Sequence, residues 1–358
     1  MPCTKPFNID TSQPVLVTGA TGYVAGVLIQ QLLEAGVTVH ATVRDPSQTE
    51  RVQYLQDLAD QSGSGTIRFF RGDLLQEDSF DEGMKGCGIV FHTASPFQLD
   101  YKDAYHDLVQ PAVRGTQIVL HSASRTPSVK RVVLTSSCAA IYTDISECDA
   151  VNNKSLNEET WNRTASLDYQ PYSLSKTLAE QKAWEIAGSQ TAWKLVTINP
   201  SLVFGPGVKY HESSTSFSLM KQLGDGSMPL CPNMGMGMVD VRDVAAAHIA
   251  AAYLPEASGR HVLSGHNSSL LAMARLLSPK FPDYPVPTRA VPKPLLWLLA
   301  PYLPGGMSRR YVWNNINVEA SFDHTKSVSQ LGIQYRPLDE TGADMFQQLV
   351  DLGVLTKK

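Results

Sequence analysis

Along the first 200 residues, short apolar and β-branched runs alternate with longer stretches of helical periodicity. The runs read PVLVTG (14–19), VTVHATVR (37–44), TIRFFRGD (66–73), GIVFHTAS (88–95), KRVVLTSS (130–137) and WKLVTINP (193–200). Between them, 22–35, 48–61 and 103–124 read as helices. Strands alternating with helices predict βαβ units around a parallel sheet. Strands that are apolar almost throughout predict cover on both faces. In such sheets small molecules bind beyond the carboxyl ends of the strands. Those ends carry Gly19, Arg44, Asp73, Thr93, Ser137 and Pro200, so chemistry is expected there.

After Pro200 the pattern changes. Residues 205–238 are rich in Gly, Pro and Met. VDVRDVAAAHIAAAYL (239–254) then reads as a strand end followed by a helix, and the tail from 266 is Pro-rich with short helices. The expectation is an α/β chain with a Rossmann-type doubly wound parallel sheet and a smaller C-terminal substrate-binding lobe. Residues 1–200 with 237–265 would form the first part, and 201–236 with 266–358 the lobe. The most hydrophobic stretch, PLLWLLAPYLPG (294–305), is too short to span a bilayer and is interrupted by Pro301 and Pro304. It is expected to be core or lid.

Composition narrows the classes. The net charge is −4 and no Lys/Arg block occurs, so neither nucleic acid nor a membrane is an expected partner. The five cysteines are scattered without a C-x-x-C pair, which suits reduced thiols. MPCTKPFNIDTSQP contains no apolar h-region, so a cytoplasmic protein is expected. No H-E-x-x-H or G-x-S-x-G motif points to a metal site or a serine hydrolase.

The first strand-to-helix turn, VLVTGATGYVAG, has Gly19 and Gly22 where a backbone must approach a pyrophosphate at a helix N-terminus. Gly19, Thr21, Gly22, Tyr23 and Val24 are the candidate cradle. Arg44 ends the second strand, where a cation accommodates the 2′-phosphate of NADP; Arg51 can add a second, and Asp45 keeps some use of NAD open. Asp73, with Leu74, stands where a carboxylate can accept from an adenine amino group. In QPYSLSKTLAEQKAW, Tyr172 and Lys176 are four apart and share a helix face. An ammonium beside a phenol is expected to lower the phenol's pKa. His92, His248 and Cys138 read as packed residues rather than ligands.

Taken in order, TGATGYVA, VRDP, GDL, FHTASP, RVVLTSS, NEETW, YSLSK, INPSLVFGP and VDVRDVAAAH resemble the extended short-chain dehydrogenase/reductase family. The resemblance is strongest to its dihydroflavonol reductase, cinnamoyl-CoA reductase and yeast-type aldehyde/ketone reductase branch. It implies catalysis by Ser137 (with Ser136 as the alternative register), Tyr172 and Lys176. Hydride would pass from NADPH to a carbonyl carbon while Tyr172 protonates the oxygen. It further implies that Thr93, Ala94, Ser95 and Pro96 line the middle of NADPH, and that Pro200, Ser201 and Val203 border the nicotinamide. Two departures matter. Ala112 stands where many members have a relaying Asn, which argues against sugar epimerases. Tyr142 stands where dihydroflavonol reductases often have Asn, which argues against flavonoids. Phe97, Tyr142, Tyr210 and Phe217 are the candidate substrate contacts, helped by Leu219, Met220 and Met228. The expected partner is a small, hydrophobic carbonyl compound, with the chain a monomer or homodimer.

Overall fold

The computed structural model describes residues 3–95, 101–302 and 307–357. Seven parallel strands form the larger sheet: β1 (Val15–Thr18), β2 (Thr38–Val43), β3 (Thr66–Arg71), β4 (Ile89–His92), β5 (Arg131–Thr135), β6 (Lys194–Pro200) and β9 (Gly259–Leu263). Their order is β3-β2-β1-β4-β5-β6-β9. The direction of winding reverses between β1 and β4, which opens a crevice beyond their carboxyl ends. The expected Rossmann-type sheet is present, and the six strands read from sequence each fall within a few residues of their predicted bounds.

Alternation along the strands explains the two helical layers. Val15 and Val17 of β1 belong to one core, and Leu16 between them belongs to the other. Val133 and its neighbours Val132 and Leu134 divide in the same way on β5. One core is closed by α1 (Tyr23–Glu34), α2 (Thr49–Ser62) and α7 (Val241–Tyr253). Six buried alanines on α7, among them Ala246 and Ala250, let it pack closely on α1. The other core is closed by α3 (Asp81–Met84), α4 (Gln110–Arg125) and α5 (Pro171–Gly188). The helix expected over 103–124 begins instead as a π-helical turn, Tyr105–Val109, before α4. Pro111 supplies the reason: it lacks an N–H, so the ordinary hydrogen-bond ladder cannot run through it.

Four strands escaped the sequence reading, save for the end of β8 from Val239: β9 of the larger sheet and the three of a smaller one. β7 (Leu202–Phe204), β8 (Gly235–Asp240) and β10 (His266–Ser269) form a small sheet in the order β10-β8-β7. β7 (LVF) and β10 (HNSS) are very short, and β8 (GMGMVD) carries Gly and Met ahead of Val239, so propensity gave little signal. α6 (Thr215–Asp225), α8 (Leu270–Leu277) and α12 (Leu338–Asp351) enclose a Met- and Phe-rich core against this sheet. α9 (Lys293–Leu299) and α10 (Arg309–Asn315) share a small apolar cluster of their own. α11 (Thr325–Leu331) lies against β9 and α7, and Leu331 and Ile333 join the core of the larger sheet.

Candidate active site

β5, β6 and α5 converge at the carboxyl edge. The chain enters α5 through Gln170 in the left-handed region (φ 56°) and Pro171 at the first helical position. A left-handed non-glycine is sparsely populated and is held here by its surroundings. Tyr172, Lys176 and Glu180 then follow at four-residue spacing on one helix face. Beyond β5 the backbone is extended at Ser137, which caps the 3₁₀ turn Cys138–Ala140 by accepting the Ala139 N–H at 3.1 Å.

Consecutive serines point to opposite sides. Ser137 is half-buried at the edge, and its hydroxyl hydrogen-bonds the Tyr172 phenol. Ser136 is buried and donates to Glu180 at 2.5 Å. Lys176 Nζ donates to Ser95 Oγ at 3.0 Å and lies 5.8 Å from the centre of the Tyr172 ring. Ser137, Tyr172, Lys176 and Ser95 are thus brought together.

The electrostatics correct one expectation. Burial pushes the Tyr172 phenol up to about 12, with the Ser137 hydrogen bond acting against it. Burial also brings Lys176 down to about 8, opposed by the charge of Glu180. The predicted lowering of Tyr172 by its neighbour is absent. Desolvation of the phenolate outweighs an ammonium that is aimed at Ser95 and is itself poorly solvated.

Beneath these groups lies a polar network that the sequence reading missed. Glu180 is 1% exposed. It accepts from Arg260 Nε at 2.7 Å, Asn199 at 2.7 Å, Thr197 at 3.2 Å and Trp184 at 3.3 Å, as well as from Ser136. Arg260 Nη1 donates to the carbonyls of Glu158 and Thr160, Nη2 to the Ala140 carbonyl and Glu180 Oε2, and the guanidinium stacks 3.8 Å from the Trp161 ring centre. Asn199 also holds the Ser137 carbonyl at 3.2 Å. The spacing Lys176–Glu180 was a readable signal, whereas Arg260 sits on β9, which was not read as a strand. Between Lys176, Ser95, Ser136 and Glu180, with Ala112 on the wall, is a cavity of about 20 Å³. That is room for one water.

The dinucleotide residues fit their expected group. Gly19 has φ 64°, and a Cβ there would lie 2.9 Å from Ala94 Cα, so the turn admits only glycine. A Cβ on Gly22 would meet the Gly19 carbonyl at 3.2 Å. Gly22 caps α1 without a side-chain bond, and no acid occupies the first turn, so its N–H groups face an anion site unopposed. Thr21, Tyr23 and Val24 stand at the same end, half-buried. Thr93 donates to the Thr18 carbonyl, and the Ala94 N–H donates to Thr18 Oγ1 at 3.0 Å, which pins the β4 loop beside Gly19. Arg44 and Arg51 are exposed, with no ion pair to either among the described residues. Asp45 is committed to its own loop, accepting from Ser47 and Gln48; these bonds hold it below the usual carboxylate range. Asp73 accepts the Leu75 N–H at 2.9 Å, and Leu74 lines the small cavity near Lys176. Pro200 ends β6, Ser201 follows with its hydroxyl buried and unpartnered by protein, and Val203 lies on β7.

The candidate substrate contacts divide. Tyr142 packs edge-on against Phe322 at 5.2 Å, in the cluster that begins at Cys138 just beyond Ser137. Tyr210 and Phe217 lie elsewhere, beside Tyr23 at the start of α1. Phe217 is fully enclosed among Tyr23, Tyr210 and His211, so it is core and not a pocket wall. Pro96 and Phe97 lie outside the described residues. Lys209 caps the Tyr54 ring at 4.3 Å, and burial, then the charge of Arg51, lowers its pKa. His92 and His248 are buried structural residues, pushed down to about 3 and about 4 by desolvation. The Cys138 thiol is pushed up by burial.

The profile of the NAD dependent epimerase/dehydratase family matches residues 15–264. Cinnamoyl-CoA reductase CAD2 of Medicago truncatula is 37% identical over 91% of this chain and 92% of its own. Tetraketide alpha-pyrone reductase 1 of Arabidopsis thaliana is 32% identical over 96% and 97%. Among solved structures, the yeast methylglyoxal/isovaleraldehyde reductase Gre2 complexed with NADPH has a TM-score of 0.75 at 29% identity, covering 95% of this chain and 99% of its own. The chain belongs to the NAD dependent epimerase/dehydratase family, the extended short-chain dehydrogenases/reductases. Within it, the chain is an NAD(P)-dependent reductase.

Proposed function

We propose that this reductase uses NADPH to reduce hydrophobic or aromatic aldehydes, ketones or keto esters, with Tyr172 as the proton donor. The observation that carries the reading is the Ser137–Tyr172 hydrogen bond at the carboxyl edge, with Lys176 one helical turn on.

The Gly19–Gly22 turn would hold the pyrophosphate of NADPH, with Pro200, Ser201 and Val203 beside its nicotinamide, and the bound cofactor would supply the hydride for the carbonyl carbon. The developing alkoxide needs donors aimed at its oxygen, and the Ser137 hydroxyl and Tyr172 phenol supply two. A phenol with its pKa near 12 stays protonated until that oxygen becomes strongly basic, so Tyr172 donates only as hydride arrives. Lys176, lowered to about 8, carries its proton at neutral pH and stabilises the tyrosinate left behind. Arg44 and Arg51 face solvent where a 2′-phosphate belongs, and Asp45 is occupied within its loop, which favours NADPH over NADH. Tyr142 is the remaining aromatic at the reacting edge, and residues 201–236 with 266–358 would cover the substrate.

The test pairs NADPH consumption on a panel of aryl and medium-chain carbonyl compounds with calorimetry of a UDP-sugar. Turnover of the panel is expected. Tight UDP-sugar binding without turnover would replace this reading by an epimerase. For the cofactor, Arg44→Ala should raise the KM for NADPH by roughly ten- to hundred-fold, the worth of a charge-assisted phosphate contact. Equal changes for NADPH and NADH would remove Arg44 from that role.

A further inference from the structure

The stretch 294–305, expected to be core or lid, is core on one side only, and residues 303–305 lie outside the described residues. α9 buries Leu296, and Ala300 just beyond it, against Val312 and Ile316. Its outward side is a continuous apolar stripe at helical spacing. Leu295, Leu298 (55% exposed), Leu299 and Tyr302 (82%) lie along it, flanked by Trp297 and, from α10, Trp313 (67%). Isolated exposed leucines need no explanation, but a contiguous patch of this kind marks a contact surface.

Charge selects the occupant. Residues 284–318 carry Arg289, Lys293, Arg309 and Arg310 and no Asp or Glu, in a chain whose net charge is −4. Two of these cations lie over the patch's tryptophans. Arg309 is 4.6 Å from the Trp297 ring centre and Lys293 is 5.0 Å from that of Trp313. Arg310 lies 3.9 Å from the buried Asp144, which offsets part of its charge. Apolar residues bordered by aromatics and cations match the interface of a bilayer with anionic headgroups. A second copy fits less well, because two-fold pairing through this face would set Lys293 and Arg309 against themselves. We infer that α9 and α10 form a peripheral docking surface for anionic lipid membranes. The chain would lie on the bilayer without crossing it, and among the described residues no helix is long and apolar enough to cross.

The test is co-sedimentation of the whole chain with phosphatidylcholine vesicles, with and without about 30% phosphatidylserine, at low and high salt. Binding to the anionic vesicles at low salt is expected. It should fall roughly tenfold or more both in high salt and in the Arg309→Gln/Lys293→Gln variant, and similarly in Leu298→Asn/Tyr302→Ser. Circular dichroism and the urea-denaturation midpoint of each variant, compared with the wild type, verify folding. No sedimentation with anionic vesicles would overturn the inference, as would equal binding to neutral ones. Sedimentation equilibrium supplies the third outcome. A wild-type dimer that dissociates in Leu298→Asn/Tyr302→Ser would assign the surface to a second copy and overturn lipid as its occupant.

Discussion

The carboxyl edge of the larger sheet and the core under the smaller one are both buried, yet they are held by different forces. At the edge, Glu180 gathers donors from α5, β6, β9 and the end of β5, and the same network reaches the Ser137 carbonyl through Asn199. Hydrogen bonds and ion pairs are directional, so this arrangement has one geometry. Beneath β7, β8 and β10 the contacts are Phe204, Phe217, Met220, Met236, Met273 and Phe346, which pack without direction. Thioether side chains adapt to shape and resist substitution weakly. On the proposed function, this difference predicts a division of labour: a rigid edge would fix the chemistry, and an adaptable lobe would set the range of substrates.

The largest effect should come from removing one proton at the rigid edge. Tyr172→Phe keeps the ring and takes away the donor, so reduction should fall by about 10²–10⁴-fold or more. Cofactor affinity, measured by fluorescence titration, should hold. Retained turnover would break the comparison at its centre. Ser137→Ala should follow, at about 10²–10³-fold in kcat, as for the loss of one donor to an oxyanion. Ser136→Ala should act differently, lowering stability by about 1–3 kcal/mol through the bond lost to Glu180, with a smaller effect on kcat. If Ser136 proved the more damaging to turnover, the register at the end of β5 would be reversed.

Next comes the network itself. Glu180→Gln leaves the Arg260 guanidinium, 6% exposed, without its counter-charge. Breaking a buried pair from one side costs about 3–5 kcal/mol. The midpoint of urea denaturation should drop accordingly, and an unchanged midpoint would show that the edge is less rigid than its hydrogen bonds imply.

How far these regions could be read from sequence follows the same division. The six strands of the doubly wound half were legible because each is a run of β-branched residues bounded by glycine or a helix, and their ends carried Gly19, Ser137 and Pro200. Tyr172 and Lys176 were legible because helical spacing alone puts them on one face. Glu180 obeyed that spacing too, but its meaning depends on Arg260, 80 residues later on an unrecognised strand. β8, GMGMVD, has no strand-like composition and is fixed by tertiary pairing. Phe217 was misassigned because an aromatic in a loop-like segment looks the same in sequence whether it faces a ligand or a core. The exposed stripe of α9 was misread because hydrophobicity predicts burial only on average.

Proton affinity offers a finer comparison. Lys176 falls from 10.5 to about 8 on folding. Its protonated form is therefore disfavoured in the fold. The resulting penalty is fully present below about 8, is relieved as pH rises toward 10.5, and vanishes above it. Lys176→Met should thus raise the unfolding midpoint at neutral pH while abolishing turnover, and this gain should vanish above the unfolded value of 10.5. In the wild type, kcat/KM should decline as pH rises through about 8, where the ammonium is lost. Glu180 raises the affinity of Lys176 for its proton, so Glu180→Gln should move that decline to lower pH. A flat profile from neutral to alkaline pH would show that the charge on Lys176 is not used.

The smallest effect is expected on the adaptable side. Met220 is fully buried on α6 in the Met- and Phe-rich core. Met220→Leu nearly conserves volume, so it should cost less than about 1.5 kcal/mol. It gives up thioether flexibility without touching Ser137, Tyr172 or Lys176. The expected outcome is a small shift in denaturation midpoint, an unchanged kcat on a small aldehyde, and altered relative KM values across bulky ketones. The same kind of conservative change at the rigid edge, Thr197→Val, removes a donor to Glu180 and should cost more. The two variants read together decide the matter. Equal stability losses, or a fall in kcat of tenfold or more for Met220→Leu, would show that the lobe is coupled to the chemistry as tightly as the edge is, and the division between fixed chemistry and adaptable specificity would be lost.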